Sequence, residues 1–140
     1  MILRFPVFYY LDRRGHAPVR DWINDRDNAG IRENIDARIT WLAMYGDGLL
    51  DNPDVLDPIE PGTKKKDRVT GFYELKSKPK KWRIAVYYDM QARCFVLLYG
   101  FRKSQPIQPQ DIARAYAALD EYQSRKVKEN VRVIYQRPRG

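Results

Sequence analysis

Three runs of strand-forming residues follow one another so closely in this chain that their connections decide how they pair. Residues 72–78 alternate, with Phe72, Glu74, Lys76 and Lys78 on one side and Tyr73, Leu75 and Ser77 on the other. A pleated strand imposes that period of two. Pro79-Lys80 turns the chain, and residues 82–88 then set Trp82, Ile84, Val86 and Tyr88 against Arg83, Ala85 and Tyr87. After the short stretch Asp89-Met90-Gln91-Ala92, the run from Arg93 is apolar on both faces, as a central strand is. Parallel neighbours need a crossover of about a dozen residues or more. Neither connection is that long, so 72–78, 82–88 and 93–102 are expected as consecutive strands of an antiparallel meander.

The flanking segments fill in a domain around this meander. Residues 2–11 are rich in β-branched and aromatic side chains and predict a first strand, closed by the turn Asp12-Arg13-Arg14-Gly15. Pro18 suits the first turn of a helix carrying Val19, Trp22, Ile23 and Arg26, stopped by Asn28-Ala29-Gly30. Ile31, Ile35, Ile39, Leu42 and Ala43 form the stripe of a second helix ended by Gly46 and Gly48; Arg32, Glu33, Asp36 and Arg38 are expected to face water. Residues 51–71, with Pro53, Pro58, Pro61, Gly62 and three consecutive lysines, predict a long polar loop. Beyond the meander, residues 108–122 predict a helix with the stripe Ile112, Ala115, Tyr116, Leu119 and Tyr122, and residues 131–135 a short further strand. The expected fold class is α+β: an antiparallel sheet, mixed by its N-terminal strand, with two N-terminal helices and a C-terminal helix packed on one face. Trp22, Trp41 and Trp82 are expected in the core and His16 at the surface.

Composition removes whole classes of chemistry. One cysteine and one histidine cannot build a Cys/His zinc site, which needs three or four ligands. Cys94 lies in an apolar run and is expected to be a buried, inert thiol. No apolar stretch approaches the roughly 20 residues that cross a bilayer, and the start lacks a signal peptide's basic and apolar regions. A cytoplasmic protein without membrane contact, cofactor or metal is the expectation. The net charge of +8 is unevenly spread: residues 1–61 sum to −4, residues 62–103 to +9 and residues 104–140 to +3. Such clustering concentrates a polyanion and strengthens its binding by counterion release.

The chemistry that a basic sheet face supports is metal-free RNA cleavage. The 2′-hydroxyl of RNA attacks its own adjacent phosphorus if its proton is removed, the phosphoryl charge is neutralised and the leaving 5′ oxygen is protonated. The meander brings Lys76, Lys78, Arg83 and Arg102 to neighbouring strands, with Lys81 and Lys103 close in sequence and Glu74 on the face of Lys76 and Lys78. An arginine fork matches phosphate oxygens, and Glu, Tyr or Lys can move protons. Lys64, Lys65 and Lys66 are candidate phosphate contacts, and Tyr and Trp rings can stack on unpaired bases. Each residue also has a plainer role open to it: a solvated loop for the three lysines, a simple ion pair for Glu74.

Three segments carry a resemblance. Gly71-Phe72-Tyr73-Glu74-Leu75-Lys76, then Trp82-Arg83-Ile84-Ala85-Val86-Tyr87-Tyr88, then Leu97-Leu98-Tyr99-Gly100-Phe101-Arg102-Lys103-Ser104 together resemble the HigB-like, phage-derived branch of the RelE superfamily of toxins. The resemblance covers roughly residues 5–123. It implies a toxin domain over 1–123 with a basic extension over 124–140. It also implies an endoribonuclease (mRNA interferase) that cleaves mRNA on the ribosome, and a cognate antitoxin, often a helix-turn-helix DNA-binding protein. Carried over by motif, Arg83 holds the scissile phosphate, Lys76 and Lys103 take the other basic positions, and Glu74 matches the carboxylate. Tyr99 stands where many relatives carry histidine. Lys64, Lys65, Lys66, Lys78, Lys81 and Arg102 are the remaining RNA-binding candidates.

Two other readings stay open: a non-catalytic nucleic-acid-binding phage or host-interaction protein on the same fold, and a structural protein whose charge only aids solubility. Under the cleavage reading Arg83 lies on an open basic face, so that Arg83→Ala abolishes toxicity while leaving the fold intact.

Overall fold

The computed structural model describes residues 5–59, 71–77, 82–102 and 109–137. In chain order its elements are β1 (Val7–Tyr10), α1 (Pro18–Asn24), α2 (Arg32–Tyr45), β2 (Leu56–Pro58), β3 (Phe72–Ser77), β4 (Trp82–Asp89), β5 (Cys94–Arg102), α3 (Pro109–Arg125) and β6 (Arg132–Ile134). Short 3₁₀ turns follow α1 (Arg26–Ile31) and α2 (Gly46–Leu49). The strands form one six-stranded sheet in the order β2-β3-β4-β5-β1-β6. The meander β3-β4-β5 is antiparallel throughout, as its short connections require. Among the described pairings only β1–β5 is parallel; the long excursion through the helices allows it.

The helices divide between the two faces instead of sharing one. Val7 and Tyr9 of β1, Leu75 of β3, Trp82, Ile84 and Val86 of β4, and Phe95 and Leu97 of β5 pack with Val19 and Ile23 of α1 and Ile35, Ile39 and Leu42 of α2. The alternate residues Tyr10, Phe72, Ala85, Val96 and Leu98 pack with Ala115, Ala118, Leu119 and Tyr122 of α3. The physical reason is that β4 and β5 are apolar on both sides, so one layer of helix would leave a greasy face in water. No described helix is long and apolar enough to cross a membrane.

Local departures from the sequence pattern have local causes. Trp22 is partly buried against the core and Trp82 fully buried, its indole N–H donated to Asn34 Oδ1 at 2.6 Å. Trp41, expected in the core, is exposed: it falls two positions after Ile39, off the apolar stripe, where it meets Tyr45 edge-on and lies 4.9 Å below the Arg38 guanidinium. Asp36, expected in water, is buried instead. Residues 132–134 return beside β1, which brings the Tyr135 hydroxyl and Arg137 Nε onto the Asp36 carboxylate. Inside the supposed loop 51–71, residues 56–58 pair with β3 as a short edge strand. Pro58, which disguises it in the sequence, is tolerated at an edge. His16 is exposed, and Cys94 is buried with its thiol pKa pushed up by burial, an unreactive state.

A polar cluster pins α3 to the end of β4. The Tyr122 hydroxyl donates to Asp89 Oδ2 at 2.9 Å and accepts from Arg132 at 3.0 Å, while Lys126 Nζ lies 3.3 Å from the same Asp89 oxygen. Burial alone would raise the Asp89 carboxyl's pKa. The Ala92 N–H, the Tyr122 hydroxyl and the Lys126 ammonium outweigh it and hold the pKa below its ordinary value.

Two measurements test this architecture. A depressed folded-state pKa gives stability that is present above the ordinary aspartate range of about 4 and lost as the pH falls through the depressed value. Asp89→Asn should therefore cost about 1–3 kcal/mol at pH 7, and in urea melts the gap to wild type should close as the pH drops below about 4. On the opposite face, Gly100 lies under Trp22: a Cβ there would sit 2.4 Å from the indole ring. Gly100→Ala should lower stability by about 1–3 kcal/mol by displacing Trp22, with a matching change in the tryptophan emission.

Candidate functional site

A single extra residue in β5 determines which side chains meet. Ala85 of β4 faces Tyr99, but the next β4 residue, Val86, faces Leu97, so Leu98 is bulged out of register. Strict alternation from Val96 and Leu98 would put Gly100 and Arg102 on the α3 face. The bulge reverses this, turning Tyr99 and Phe101 toward the α3 side and Gly100 and Arg102 toward α1. Arg102 consequently lies on the face opposite Arg83. Its Nε donates to Asn28 Oδ1 and its other terminal nitrogen to the Asp27 carbonyl, both at 2.9 Å, fastening the end of β5 to the first 3₁₀ turn. Arg102 is thus separated from the basic face on which the sequence pattern places it.

The remaining described candidates gather in two adjacent rows on the α3 face. Asp57, Glu74, Ala85 and Tyr99 line up across β2, β3, β4 and β5, and Lys76, Arg83 and Phe101 form the neighbouring row. Two diagonal ion pairs link the rows. Arg83 Nε lies 2.6 Å from Glu74 Oε1, the side chains only 6% and 13% exposed; the N–H points off the oxygen, so the contact is electrostatic. Arg83 also donates to the Trp82 carbonyl at 2.7 Å. Lys76 Nζ lies 3.4 Å from Asp57 Oδ2, with exposures of 16% and 43%.

The expectation of an open basic face is therefore corrected. Arg83 is buried, and the described residues of this patch include two cations and two carboxylates. Arg83 lies on the face against which α3 packs, and an arginine with so little access to water needs a nearby counter-charge. The described residues together contain sixteen basic and sixteen acidic side chains. The net charge of +8 therefore falls on the other segments, which include Lys64, Lys65, Lys66, Lys78, Lys81 and Lys103. Those six candidates lie outside the described residues. Ser77, Trp82 and Arg102 are aligned at one end of the sheet, and Ile59 and Gly71 lie near the other.

Three participants escaped the sequence reading. Asp57 was hidden in an apparent loop, although Val55, Leu56 and Ile59 around it are apolar. Asp111 and Arg114, in the first turns of α3, flank Tyr99: its hydroxyl is 3.4 Å from Asp111 Oδ1 and accepts from Arg114 at 3.2 Å. Their spacing of three residues on one helix face was the available signal.

No protein-family model matches the chain, and no curated protein or solved structure does.

Burial of the Arg83–Glu74 pair changes what mutation should do. Arg83→Ala takes a close cation from a carboxylate with little water, at a cost of about 3–5 kcal/mol. Replacing both partners with apolar residues, Arg83→Met with Glu74→Leu, should recover most of that loss. Urea-denaturation midpoints compare the two variants, and an unchanged midpoint for Arg83→Ala would show that the pair carries no stability.

Proposed function

We propose that this chain is the toxin of a type II toxin–antitoxin system, a ribosome-dependent endoribonuclease that cleaves mRNA by attack of RNA's own 2′-hydroxyl. One observation carries the reading. The three sequence motifs that resemble RelE and HigB toxins, far apart along the chain, converge so that Glu74 and Tyr99 share one row and Lys76 and Arg83 the next. A carboxylate, a phenol and two cations within neighbouring rows are the groups that the reaction requires. The carboxylate of Glu74 takes the 2′ proton, and O2′ bonds to the adjacent phosphorus. The P–O5′ bond breaks, and the Tyr99 hydroxyl supplies a proton to the leaving oxygen. Arg83 and Lys76 face the charge growing on the phosphoryl oxygens, where fixed cations act most strongly. The lysine-bearing segments 60–70, 78–81 and 103–108 contact backbone phosphates without reading sequence. Partners under this reading are mRNA, the ribosome and a cognate helix-turn-helix antitoxin; the fold is that of the RelE-like family, in the cytoplasm.

The pairing of both cations with carboxylates favours a second reading, a nucleic-acid-binding protein that does not cleave. Programmed ribosomes with a defined mRNA separate the two. Cleavage should leave a 2′,3′-cyclic phosphate and a 5′-hydroxyl, and should stop when the scissile nucleotide is 2′-deoxy. Glu74→Gln should slow it about 100-fold or more. Intact mRNA together with RNA binding that weakens steeply with salt would select the second reading. Absence of RNA binding at low salt would overturn both.

A further inference from the structure

The two ion pairs of the site are unequal, and the difference points to the place where an RNA phosphate enters. Arg83–Glu74 is short at 2.6 Å and nearly dry, with its guanidinium also tied to the Trp82 carbonyl. Lys76–Asp57 is longer, at 3.4 Å, and Asp57 is 43% exposed. Asp57 also stands on a short edge strand: β2 is three residues long, lies at one edge of the sheet and ends in Pro58, which offers no N–H. Lys76 is itself only 16% exposed, but its partner Asp57 has water to return to when it is released, which neither partner of the drier pair has. A buried pair loses far more when it is broken.

We infer that Lys76 is the phosphate-binding position of this site and that Asp57 is a built-in competitor for it, occupying the ammonium in the free protein and yielding it to a phosphodiester oxygen of RNA. Asp57 moves into water as the phosphate arrives, so the count of ion pairs is conserved. The entry of a polyanion is then an exchange at the rim that leaves the Arg83–Glu74 pair intact. Asp57 acts as a threshold: weak anions fail to displace it, whereas a chain of phosphates tethered at several points succeeds. The inference rests on the proposed RNA-binding reading and adds to it a residue that sets affinity.

Binding of a short, single-stranded 2′-O-methyl RNA, which cannot be cleaved by 2′ attack, tests the exchange by fluorescence anisotropy. At low salt Asp57→Asn should bind about two- to fivefold more tightly than wild type, the scale of an exposed ion pair, and the gain should shrink as salt rises. Asp54→Asn makes the same change in net charge at an exposed neighbour without a Lys76 contact, and should gain less. In a Lys76→Gln background Asp57→Asn should gain nothing beyond what Asp54→Asn gains. Thermal melts should show Asp57→Asn folded with little change in midpoint. If Asp57→Asn binds no more tightly than Asp54→Asn, or keeps its full advantage without Lys76, the competitor role is overturned while RNA binding stands. If wild type binds no RNA even at low salt, the functional reading itself fails, and the inference with it.

Discussion

A sheet clad in helix on both faces leaves its middle strands no cheap way to carry charge. β4 and β5 sit between α1 and α2 on one side and α3 on the other, and nearly every side chain they project is buried. Any ionic group there must bring its partner along, since desolvating a lone charge costs more than a small domain's whole stability. Arg83 meets this demand with Glu74, Asp89 with Tyr122 and Lys126, and Arg102, exposed at the end of β5, with the buried Asn28. The pairing of charge among the described residues follows from the double cladding, and the Arg83–Glu74 pair of the candidate site is part of it.

The meander was legible because connection length is a covalent fact: short links between strand-like runs admit only antiparallel pairing. The stripe of α2 was legible for a similar reason, being a period that a single sequence displays in full. What escaped depended on contacts between distant segments. Nothing near Asp36 announces that Tyr135 and Arg137 will reach it from the far end of the chain. β2 escaped because three residues with a proline are too few to show a period. The face of Arg102 escaped through the bulge at Leu98: one residue out of register inverts everything after it. Sequence named Glu74, Lys76, Arg83 and Tyr99 as candidates, and the fold brings them together. It could not show that Asp57 stands among them.

The bulge also ties stability to the site. By turning Tyr99 and Phe101 toward α3, it leaves Gly100 facing α1, where the absence of a Cβ makes room for the Trp22 ring. The same reversal that delivers a phenol to the row of Glu74 therefore creates the close packing of α1 on β5. A register change at Leu98 would disturb both at once, which is how a local irregularity can be retained despite the pairing it disrupts.

Arginine and lysine divide the remaining labour in a way that their chemistry explains. A guanidinium offers several donors in a rigid plane, which suits fixed partners such as the Trp82 carbonyl and Glu74 at Arg83, or Asn28 and the Asp27 carbonyl at Arg102. An ammonium is a strongly hydrated point charge on a flexible stem, which suits contact with a polyanion at no single geometry. Among the described lysines, Lys76 is the one in the two rows, and its partner is the carboxylate at the sheet edge rather than the buried one. A cation that must change partners is better built as a lysine, since releasing one solvated carboxylate costs it little. A cation that must hold a buried carboxylate in place is better built as an arginine, and Arg83 occupies that position.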